Sequence, residues 1–406
     1  MGHSKAFYLL ACIASIGPIG IQTYLASYAA MAESFQLSPS EYQWVLSASV
    51  IISVFAIFCY GPLSDRFGRK PLLIAGLTLF FLGSLIIAIA NSFWLVGVGR
   101  MIQVCGTSCG YLLARAIAKD LYDENVLTKV LGLLGMSLMF VPLSLPYLFG
   151  LALINTSWNI MFFILSGIIF VFILMIFFLM KETLKQKIVL TSGFTAIHWP
   201  SIWALKYNSK FLAFTFSNSL ALSIYFAFLM GAPHILHISF QGELTDYGES
   251  YFIIGLGYIF GSYLAALLSK YYADQYLILV GAILATFSSS VLVGIAWLAS
   301  LNQMTFTALY FFISLGISLS LPASYSSAAK YGSSNVGTST SVNLTIEAIF
   351  CSAVTLLIGF VDYDNPIFYT IIVFILALSF LTNSVFILVK FKDYGKFMKL
   401  SDTSEN

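Results

Sequence analysis

Long apolar stretches recur along the chain and alternate with short polar segments. Each stretch has about 20 residues or more, the length that an α-helix needs to cross a hydrocarbon core of about 30 Å. The shorter alternation of polar and apolar residues that is typical of a membrane β-strand does not occur. The pattern therefore predicts twelve transmembrane helices, at about residues 6–32, 42–62, 70–90, 94–118, 127–153, 158–180, 210–232, 248–269, 275–298, 305–329, 336–359 and 366–390.

The amino-acid composition indicates the same class of protein. Hydrophobic residues make up 59% of the 406 positions and charged residues only 9%, whereas soluble domains carry about 25% charged residues. A water-soluble fold of this size would have to expose much of its apolar surface. No small-residue cleavage site follows the first apolar stretch at a suitable distance, so we expect a retained helix there and not a signal peptide.

The charged residues assign an orientation to the predicted helices. If the N-terminus is cytoplasmic, every one of the 19 lysines and arginines except Arg100 and Arg115 falls on the cytoplasmic side. The loops on the opposite side contain acidic residues instead: Glu33, Glu41, Glu243, Asp246, Glu249, Asp362 and Asp364. This asymmetry follows the positive-inside rule. We therefore expect a multi-pass protein of a bacterial inner membrane with both termini in the cytoplasm.

A polar segment divides the predicted helices into two groups of six. The expected domains are an N-terminal half at 1–180, a cytoplasmic linker at 181–209, and a C-terminal half at 210–406 that ends in a short cytoplasmic tail. In the linker, Trp199 and Trp203 indicate a short amphipathic element on the cytoplasmic leaflet. This layout is typical of carriers whose substrate site lies between the two halves, near the middle of the membrane.

The loop between the second and third predicted helices carries a dense motif, Gly61-Pro62-Leu63-Ser64-Asp65-Arg66-Phe67-Gly68-Arg69-Lys70-Pro71-Leu72-Leu73. Gly61 and Gly68 permit a tight reversal of the chain. Asp65 can satisfy the positive N-terminal end of a neighbouring helix, and Arg69 can pair with Asp120, which lies just beyond the fourth predicted helix. In sequence and in position, the segment resembles the loop signature of the major facilitator superfamily.

This resemblance implies a fold and a role for the loop. The fold would be all-α and integral to the membrane, with twelve transmembrane helices in two six-helix halves. In that superfamily, the loop acts as a conformational latch that holds the two halves together in the outward-facing state. The latch residues implied for this chain are Gly61, Asp65, Arg66, Gly68, Arg69 and Asp120. The alternative is a solvated basic loop that serves only to set the topology.

Four further stretches resemble the Bcr/CflA branch of drug–proton antiporters: Lys119-Asp120-Leu121-Tyr122, Lys181-Glu182-Thr183-Leu184, Ala227-Phe228-Leu229-Met230-Gly231-Ala232-Pro233 and Leu321-Pro322-Ala323. The resemblance covers nearly the whole chain. It implies a secondary active transporter that works by alternating access and exports drugs or other small organic compounds in exchange for protons.

The chain departs from that branch at two places. Gln22 occupies the position of the branch's usual acidic residue in the first helix. The fifth helix keeps the prolines of the antiporter motif in 141–150 but lacks its glycine pair. Three interpretations therefore stay open: Glu347 carries the proton instead, coupling works differently, or transport is not driven by protons.

Three charged residues lie well inside the predicted helices, namely Arg100, Arg115 and Glu347. A charge at the membrane centre costs about 2.5–3.5 kcal/mol, so these side chains should face a polar cavity. The resemblance implies that Arg100 couples protons to substrate movement; alternatively, it bonds to carbonyl groups of the first helix. Arg115 either lines the cavity or extends to lipid headgroups. Glu347 is either a proton carrier or a protonated side chain bonded within the helix bundle.

Uncharged polar residues extend this predicted cavity. The expected lining residues are Gln22, Tyr24, Arg100, Gln103, Arg115, Asn218 and Asn343. Two cations and one anion favour an anionic or zwitterionic substrate by charge complementarity. The alternative function is therefore the import or export of an anionic metabolite or a carboxylate siderophore.

Other classes of protein fit the sequence less well. A non-transporting membrane receptor would have no use for a latch, and the four histidines lie near helix ends or in loops, so we expect no enzyme activity. No phosphate-binding glycine loop occurs. Cys105 and Cys109 share a helix face but have no acidic or histidine neighbour on it, so packing is expected there and not a metal site. We expect no cofactor and no nucleic-acid partner. The expected protein is a monomer in a lipid bilayer that meets a small-molecule substrate and protons.

Overall fold

The computed structural model describes residues 3–36, 39–153, 156–184, 199–236, 240, 244–298, 300–332, 336–361 and 365–391. Regular structure within these ranges is helical, and no β-strand occurs there. The α-helices are α1 (His3–Ala14), α2 (Ile16–Ala26), α3 (Tyr28–Phe35), α4 (Pro39–Phe67), α5 (Arg69–Ala88), α6 (Phe93–Leu121), α7 (Glu124–Leu153), α8 (Trp158–Leu179), α9 (Trp199–Lys206), α10 (Ser209–His234), α11 (Leu244–Leu268), α12 (Asp274–Trp297), α13 (Gln303–Tyr331), α14 (Val336–Gly359) and α15 (Pro366–Lys390).

Nine segments of the described chain are long and apolar enough to cross a membrane. They are Phe7–Tyr24, Arg69–Ala88, Trp158–Leu179, Ser209–Ala232, Glu249–Leu268, Asp274–Trp297, Gln303–Tyr331, Val336–Ile358 and Pro366–Lys390. Three more helices, α4, α6 and α7, have 29, 29 and 30 residues. At 1.5 Å per residue, each is longer than the hydrocarbon core is thick. A helical, multi-pass membrane protein is thus confirmed, and helices occupy all twelve predicted stretches; crossing by all twelve stays a prediction.

The first predicted stretch differs from a single regular helix. Ser15 and Ser27 interrupt it, which separates α1, α2 and α3. The i→i−4 bonds continue across both points, since the Ser15 amide donates to Ala11 at 3.1 Å and the Ser27 amide donates to Thr23 at 3.2 Å. The first interruption lies beside Pro18, which has no N–H to donate and therefore weakens the helix one turn upstream.

The linker contains the short helix that its tryptophans predicted. This helix, α9, ends at Lys206, and the Trp203 side chain is 56% exposed. Residues 185–198 of the linker lie outside the described ranges. The position of α9 on the cytoplasmic leaflet stays a prediction.

The chain divides into two compact units. The first unit comprises residues 1–121, 140–203 and 333–345. The second unit comprises residues 122–139, 204–332 and 346–406. Three helices are shared: the first part of α7 belongs to the second unit, the first part of α14 belongs to the first unit, and α9 is divided between residues 203 and 204. The division of the sequence into halves at 1–180 and 210–406 stays a prediction, and the two compact units have other bounds within α7 and α14.

Within the first unit, α5 and α6 pack closely because glycines remove side chains from their interface. A Cβ at Gly83 would meet the backbone of Gln103, and a Cβ at Gly106 would meet the carbonyl of Gly76. Small residues allow membrane helices to approach in this way. The close packing brings the Gln103 side chain within hydrogen-bond distance of Ser84 in α5.

Within the second unit, α12 and α13 approach each other at Gly281 and Gly316 in the same manner. Buried tyrosines link three other helices. The hydroxyl groups of Tyr310 and Tyr369 lie 2.5 Å apart, and Tyr369 also donates to the carbonyl of Ala227 at 3.1 Å. Both side chains are almost fully buried, and each hydroxyl has the partner that burial requires. These bonds join α10, α13 and α15.

Candidate functional site

The motif loop reverses the chain with a single residue. Helix α4 ends at Phe67 and α5 begins at Arg69, so Gly68 alone lies between them. Gly68 has φ of 105°, a backbone conformation that side chains with a Cβ rarely adopt. A Cβ at this position would also meet the carboxylate of Glu182. The predicted tight turn therefore depends on glycine for two separate reasons.

The Asp65 carboxylate binds the first turn of α14. One oxygen accepts from the Gly337 amide at 2.7 Å, and the other accepts from the amide and the hydroxyl of Thr338 at 2.7 and 2.8 Å. The first amides of a helix have no partner within the helix and carry partial positive charge, so a buried carboxylate there is stabilised. Asp65 thus takes the place of a capping residue for a helix that lies 272 residues away in the sequence.

Arg69 connects this carboxylate to a second one. Its guanidinium donates to Asp65 and to the Ser64 hydroxyl through Nη1, at 2.8 and 2.5 Å, and to Asp120 through Nε at 2.9 Å. The Arg69 side chain is 0% exposed, and the side chains of Asp65 and Asp120 are 3% and 9% exposed. Removing one partner from a buried ion pair costs about 3–5 kcal/mol, because the other charge is left uncompensated. The three charged residues therefore depend on one another. We call Asp65, Arg69, Asp120, Gly337 and Thr338 the Asp65 cluster.

Two of the remaining predicted latch residues occupy different positions. Gly61 lies in the contact between α4 and α14, where a Cβ would meet the Gly337 carbonyl and the Ser341 side chain. Arg66 is half-buried, and its guanidinium lies 5.3 Å from the ring centroid of Phe67. Gly61 therefore shapes the α4–α14 contact, whereas Arg66 packs against its neighbour in the chain.

Sequence reasoning missed three members of this site. Gly337 and Thr338 contribute mainly backbone amides, and a backbone amide leaves no trace in a sequence. Glu182 accepts hydrogen bonds from the amides of Arg69 and Lys70 at 2.9 and 3.2 Å, which caps α5. Its segment drew attention only through a family resemblance, although an acid is the residue type expected to stabilise a helix N-terminus.

Replacing Gly337 by alanine should destabilise the protein. The added Cβ would meet the Ser64 hydroxyl, the Gly61 carbonyl and the Arg69 guanidinium, so α14 would have to move away from α4. We expect the free energy of unfolding to fall by about 1–3 kcal/mol, the usual cost of overpacking. The melting temperature of the purified protein in detergent measures this effect.

Gly167→Ala is the matched control for that substitution. Gly167 lies inside α8, and a Cβ there meets nothing within 4 Å among the described residues. In a helix interior, alanine is favoured over glycine by about 1 kcal/mol, so this variant should be as stable as the parent or more stable. Equal melting temperatures for the two variants would contradict the close contact at Gly337.

Arg100 lies in a second buried network of the first unit. Its Nη1 donates to the Gly20 carbonyl of α2 at 3.0 Å and to the Gln103 side chain at 2.6 Å. The guanidinium carbon lies 4.5 Å from the ring centroid of Tyr24, and Gln103 in turn donates to Ser84 at 2.9 Å. The predicted residues Tyr24, Arg100 and Gln103 thus come together, and the bond to Gly20 is of the kind that a structural role for Arg100 requires.

The other predicted residues of the first unit lie on α2, α6 and α14. The guanidinium of Arg115 lies 3.7 Å from the ring centroid of Tyr111, one turn earlier in α6. Gln22 is half-buried in α2, and Asn343 is 5% exposed in α14. The structure therefore places Arg115 beside Tyr111 of its own helix, Gln22 in α2 and Asn343 in α14.

Glu347 lies in the second unit, where it is 6% exposed. It accepts a short hydrogen bond from the hydroxyl of Tyr325 in α13. One turn further along α14, the Cys351 thiol accepts a hydrogen bond from Ser223 of α10 at 3.9 Å. Asn218, on the same helix as Ser223, is fully buried. The buried carboxyl group of Glu347 is thus hydrogen-bonded to an uncharged polar side chain of another helix.

Within the described part of the chain, no group of three or more His, Cys, Asp or Glu side chains is placed to hold a metal ion. The Cys109 thiol is buried and packs where a Cβ on Gly76 would otherwise lie. Among the described residues, hydrogen-bonding and ionic groups converge around Asp65, Arg100 and Glu347.

Comparisons with known proteins identify the family of this chain. Residues 10–355 match the family model of the Major Facilitator Superfamily. A bicyclomycin resistance protein homolog of Haemophilus influenzae is 26% identical over 65% of this chain and 67% of its own length. Multidrug resistance protein D of Escherichia coli K12 is 29% identical over 37% of this chain and 38% of its own length. A solved structure of the proton:xylose symporter XylE, from the same superfamily, covers 96% of both chains with a TM-score of 0.73 at 14% identity, which shows a shared fold. The chain is a membrane transporter that belongs to the Major Facilitator Superfamily.

Proposed function

We propose that this protein is a twelve-helix secondary carrier of a bacterial inner membrane, with both termini in the cytoplasm. It works by alternating access and exports drugs or other small organic compounds in exchange for protons. Support for the substrate class comes from the similar proteins, whose names refer to bicyclomycin and multidrug resistance. Support for the orientation comes from the lysines and arginines, all of which except Arg100 and Arg115 fall on one side of the predicted topology.

The Asp65 cluster supports the alternating step. Its hydrogen bonds join a loop of the N-terminal half of the sequence to the first turn of a helix in the C-terminal half. Such a contact has a made and a broken state, and it can bias a two-state equilibrium by the free energy of its hydrogen bonds. Hydrogen bonds to a charged group contribute about 1.5–3 kcal/mol each. The cluster is thus strong enough to hold one state and still be opened by substrate or proton binding.

The single observation that carries the proposal of proton coupling is the burial of the Glu347 carboxyl group, which is 6% exposed and hydrogen-bonded to Tyr325. A carboxyl group buried inside a membrane bundle is costly and is expected to serve a function. Tyr325 provides a hydrogen-bond donor for it. Gln22 fills the position of the branch's usual acid, which leaves Glu347 as the carboxyl group placed to take up and release the proton.

The anionic substrate is a weaker second candidate. Its support was an excess of positive charge, and Arg100 is engaged by the Gly20 carbonyl and the Gln103 side chain. A guanidinium bonded in this way is less available to a substrate anion. Arg115 lies against Tyr111 and alone would have to provide the charge complementarity.

Solute flux in proteoliposomes tests the proposed function. We expect an imposed pH gradient to accelerate the movement of bicyclomycin or a lipophilic cationic dye. The rate of movement of a polycarboxylate should not change. Faster movement of the polycarboxylate would favour transport of an anionic substrate. A flux rate that is the same with and without the pH gradient would contradict proton coupling. Binding of solutes without any flux would indicate a receptor.

A further inference from the structure

A second hydrogen-bonded cluster lies in the second unit, around the first residue of α12. One carboxylate oxygen of Asp274 accepts from the Thr128 hydroxyl at 2.9 Å, and the other accepts from the Ser327 hydroxyl at 3.0 Å. Thr128 is fully buried and Ser327 is 5% exposed. We call these three residues the Asp274 clamp. One half-buried carboxylate thereby ties α7 and α13 to the start of α12.

The clamp acts on the part of α7 that belongs to the second unit. Helix α7 lies in the N-terminal half of the sequence, yet its residues up to Met139 group with the second unit. One turn after Thr128, a Cβ at Gly132 would meet the Ser262 carbonyl at 2.9 Å and the Ala266 side chain at 3.1 Å. Within the second unit, the first part of α7 is therefore held against α11 by close backbone packing and against α12 by Asp274.

This arrangement parallels the Asp65 cluster. In each case an aspartate beside a helix boundary binds the beginning of a helix from the other half of the sequence, and a glycine lets that helix approach closely. In the first unit, the helix is α14 and the glycine is Gly337; in the second unit, the helix is α7 and the glycine is Gly132. The chemistry differs, because Asp65 binds backbone amides and a guanidinium, whereas Asp274 binds two hydroxyl groups.

We propose that Asp274 is a positioning residue for transport, and that the clamp holds the start of α7 in the same conformational state that the Asp65 cluster stabilises. The proposal rests on alternating access as the proposed function. Neither hydroxyl partner has a charge, so the carboxylate of Asp274 provides the strength of both bonds. Opening the clamp releases α7 from α11 and α12.

Maleimide modification of a reporter cysteine tests the clamp. Ser262→Cys places a thiol at a 1% exposed position in the α7–α11 contact, and peptide mass spectrometry distinguishes it from the five native cysteines. In this background, Asp274→Ala should speed modification about tenfold, the factor expected from losing a hydrogen bond to a charged group. Ser290→Ala, an exposed serine of α12 whose hydroxyl bonds within its own helix, is the control and should not change the rate.

A double-mutant cycle separates the clamp from general loosening of the fold. Thr128→Val should also speed modification, and the combined Thr128→Val and Asp274→Ala variant should react no faster than Asp274→Ala alone, because both remove the same bond. If the increase in modification rate in the double variant equals the product of the increases in the two single variants, the proposal is overturned. If Asp274→Ala is not recovered from membranes, Asp274→Asn, which keeps one acceptor oxygen, takes its place in the cycle.

Asp65→Asn in the same reporter background distinguishes failure of the clamp from failure of the proposed function. Faster modification in both the Asp65 and the Asp274 variants supports the proposal. Faster modification in the Asp65 variant alone refutes the clamp and leaves alternating access intact. An unchanged rate in both variants refutes the clamp together with the role proposed for the Asp65 cluster.

Discussion

Replacing Glu347 by glutamine is expected to abolish flux driven by a pH gradient, down to the level of protein-free liposomes. Exchange of substrate for substrate should persist. Glutamine has nearly the same size and keeps an oxygen that can accept from Tyr325, so the packing of α13 against α14 is preserved. It has no proton to exchange near neutral pH, so the alternating step becomes uncoupled from the gradient.

Two control variants make that result specific. Glu33→Gln is the same chemical change at an exposed position near the end of α3, and it should retain gradient-driven flux. Tyr325→Phe removes the hydrogen bond to Glu347 but keeps its carboxyl group, so coupling should also be retained. Gradient-driven flux that survives in Glu347→Gln would show that another group carries the proton.

The helices of this protein could be predicted from the sequence because their determinants are local. A run of about 20 apolar residues has few alternatives to a membrane helix, and helices occupy all twelve predicted stretches. The interruptions at Ser15 and Ser27 could not be located in this way. They depend on the missing amide of Pro18 and on local backbone bonding, whereas hydropathy is averaged over a whole span.

The candidate sites were predictable only in part. Asp65 and Arg69 are four residues apart on either side of a chain reversal, so their proximity follows from short-range geometry. The partner of Asp65 does not, because its bonds reach backbone amides 272 and 273 residues away. The bonds of Thr128 and Ser327 to Asp274 were likewise invisible, since serine and threonine are common throughout membrane helices.

Arg100 shows how the structure narrows a choice that the sequence leaves open. Composition and depth in the membrane require a partner for its charge, and they allow either a substrate or a protein carbonyl. The bond to Gly20 supplies a carbonyl of α2. That bond is compatible with a role in coupling as well, because Tyr24 and Gln103 place the guanidinium among polar groups that substrate or proton binding can rearrange.

Asp65→Asn is expected to slow transport by about 10–100-fold while the protein still reaches the membrane. The carboxylate of Asp65 accepts from two amides, a hydroxyl and the Arg69 guanidinium. Asparagine offers one acceptor oxygen, and its NH2 group would face other donors. Losing one or two hydrogen bonds to a charge costs about 1.5–3 kcal/mol each. A shift of about 1.4 kcal/mol changes the population of a state tenfold, so the state that depends on the cluster becomes rare.

The measurement is the initial rate of substrate flux in proteoliposomes, normalised to the amount of protein incorporated. Asp123→Asn is the matched control, because Asp123 is exposed just before α7 and asparagine caps a helix as well as aspartate does. The two carboxylates are therefore changed identically, but only one of them holds α14 in place. If both variants transport at the parental rate, the bonds of Asp65 to Gly337 and Thr338 stabilise the fold without controlling the alternating step. If Asp65→Asn alone is slow and its melting temperature falls only slightly, the hydrogen bonds of the cluster bias the equilibrium between two states of the carrier.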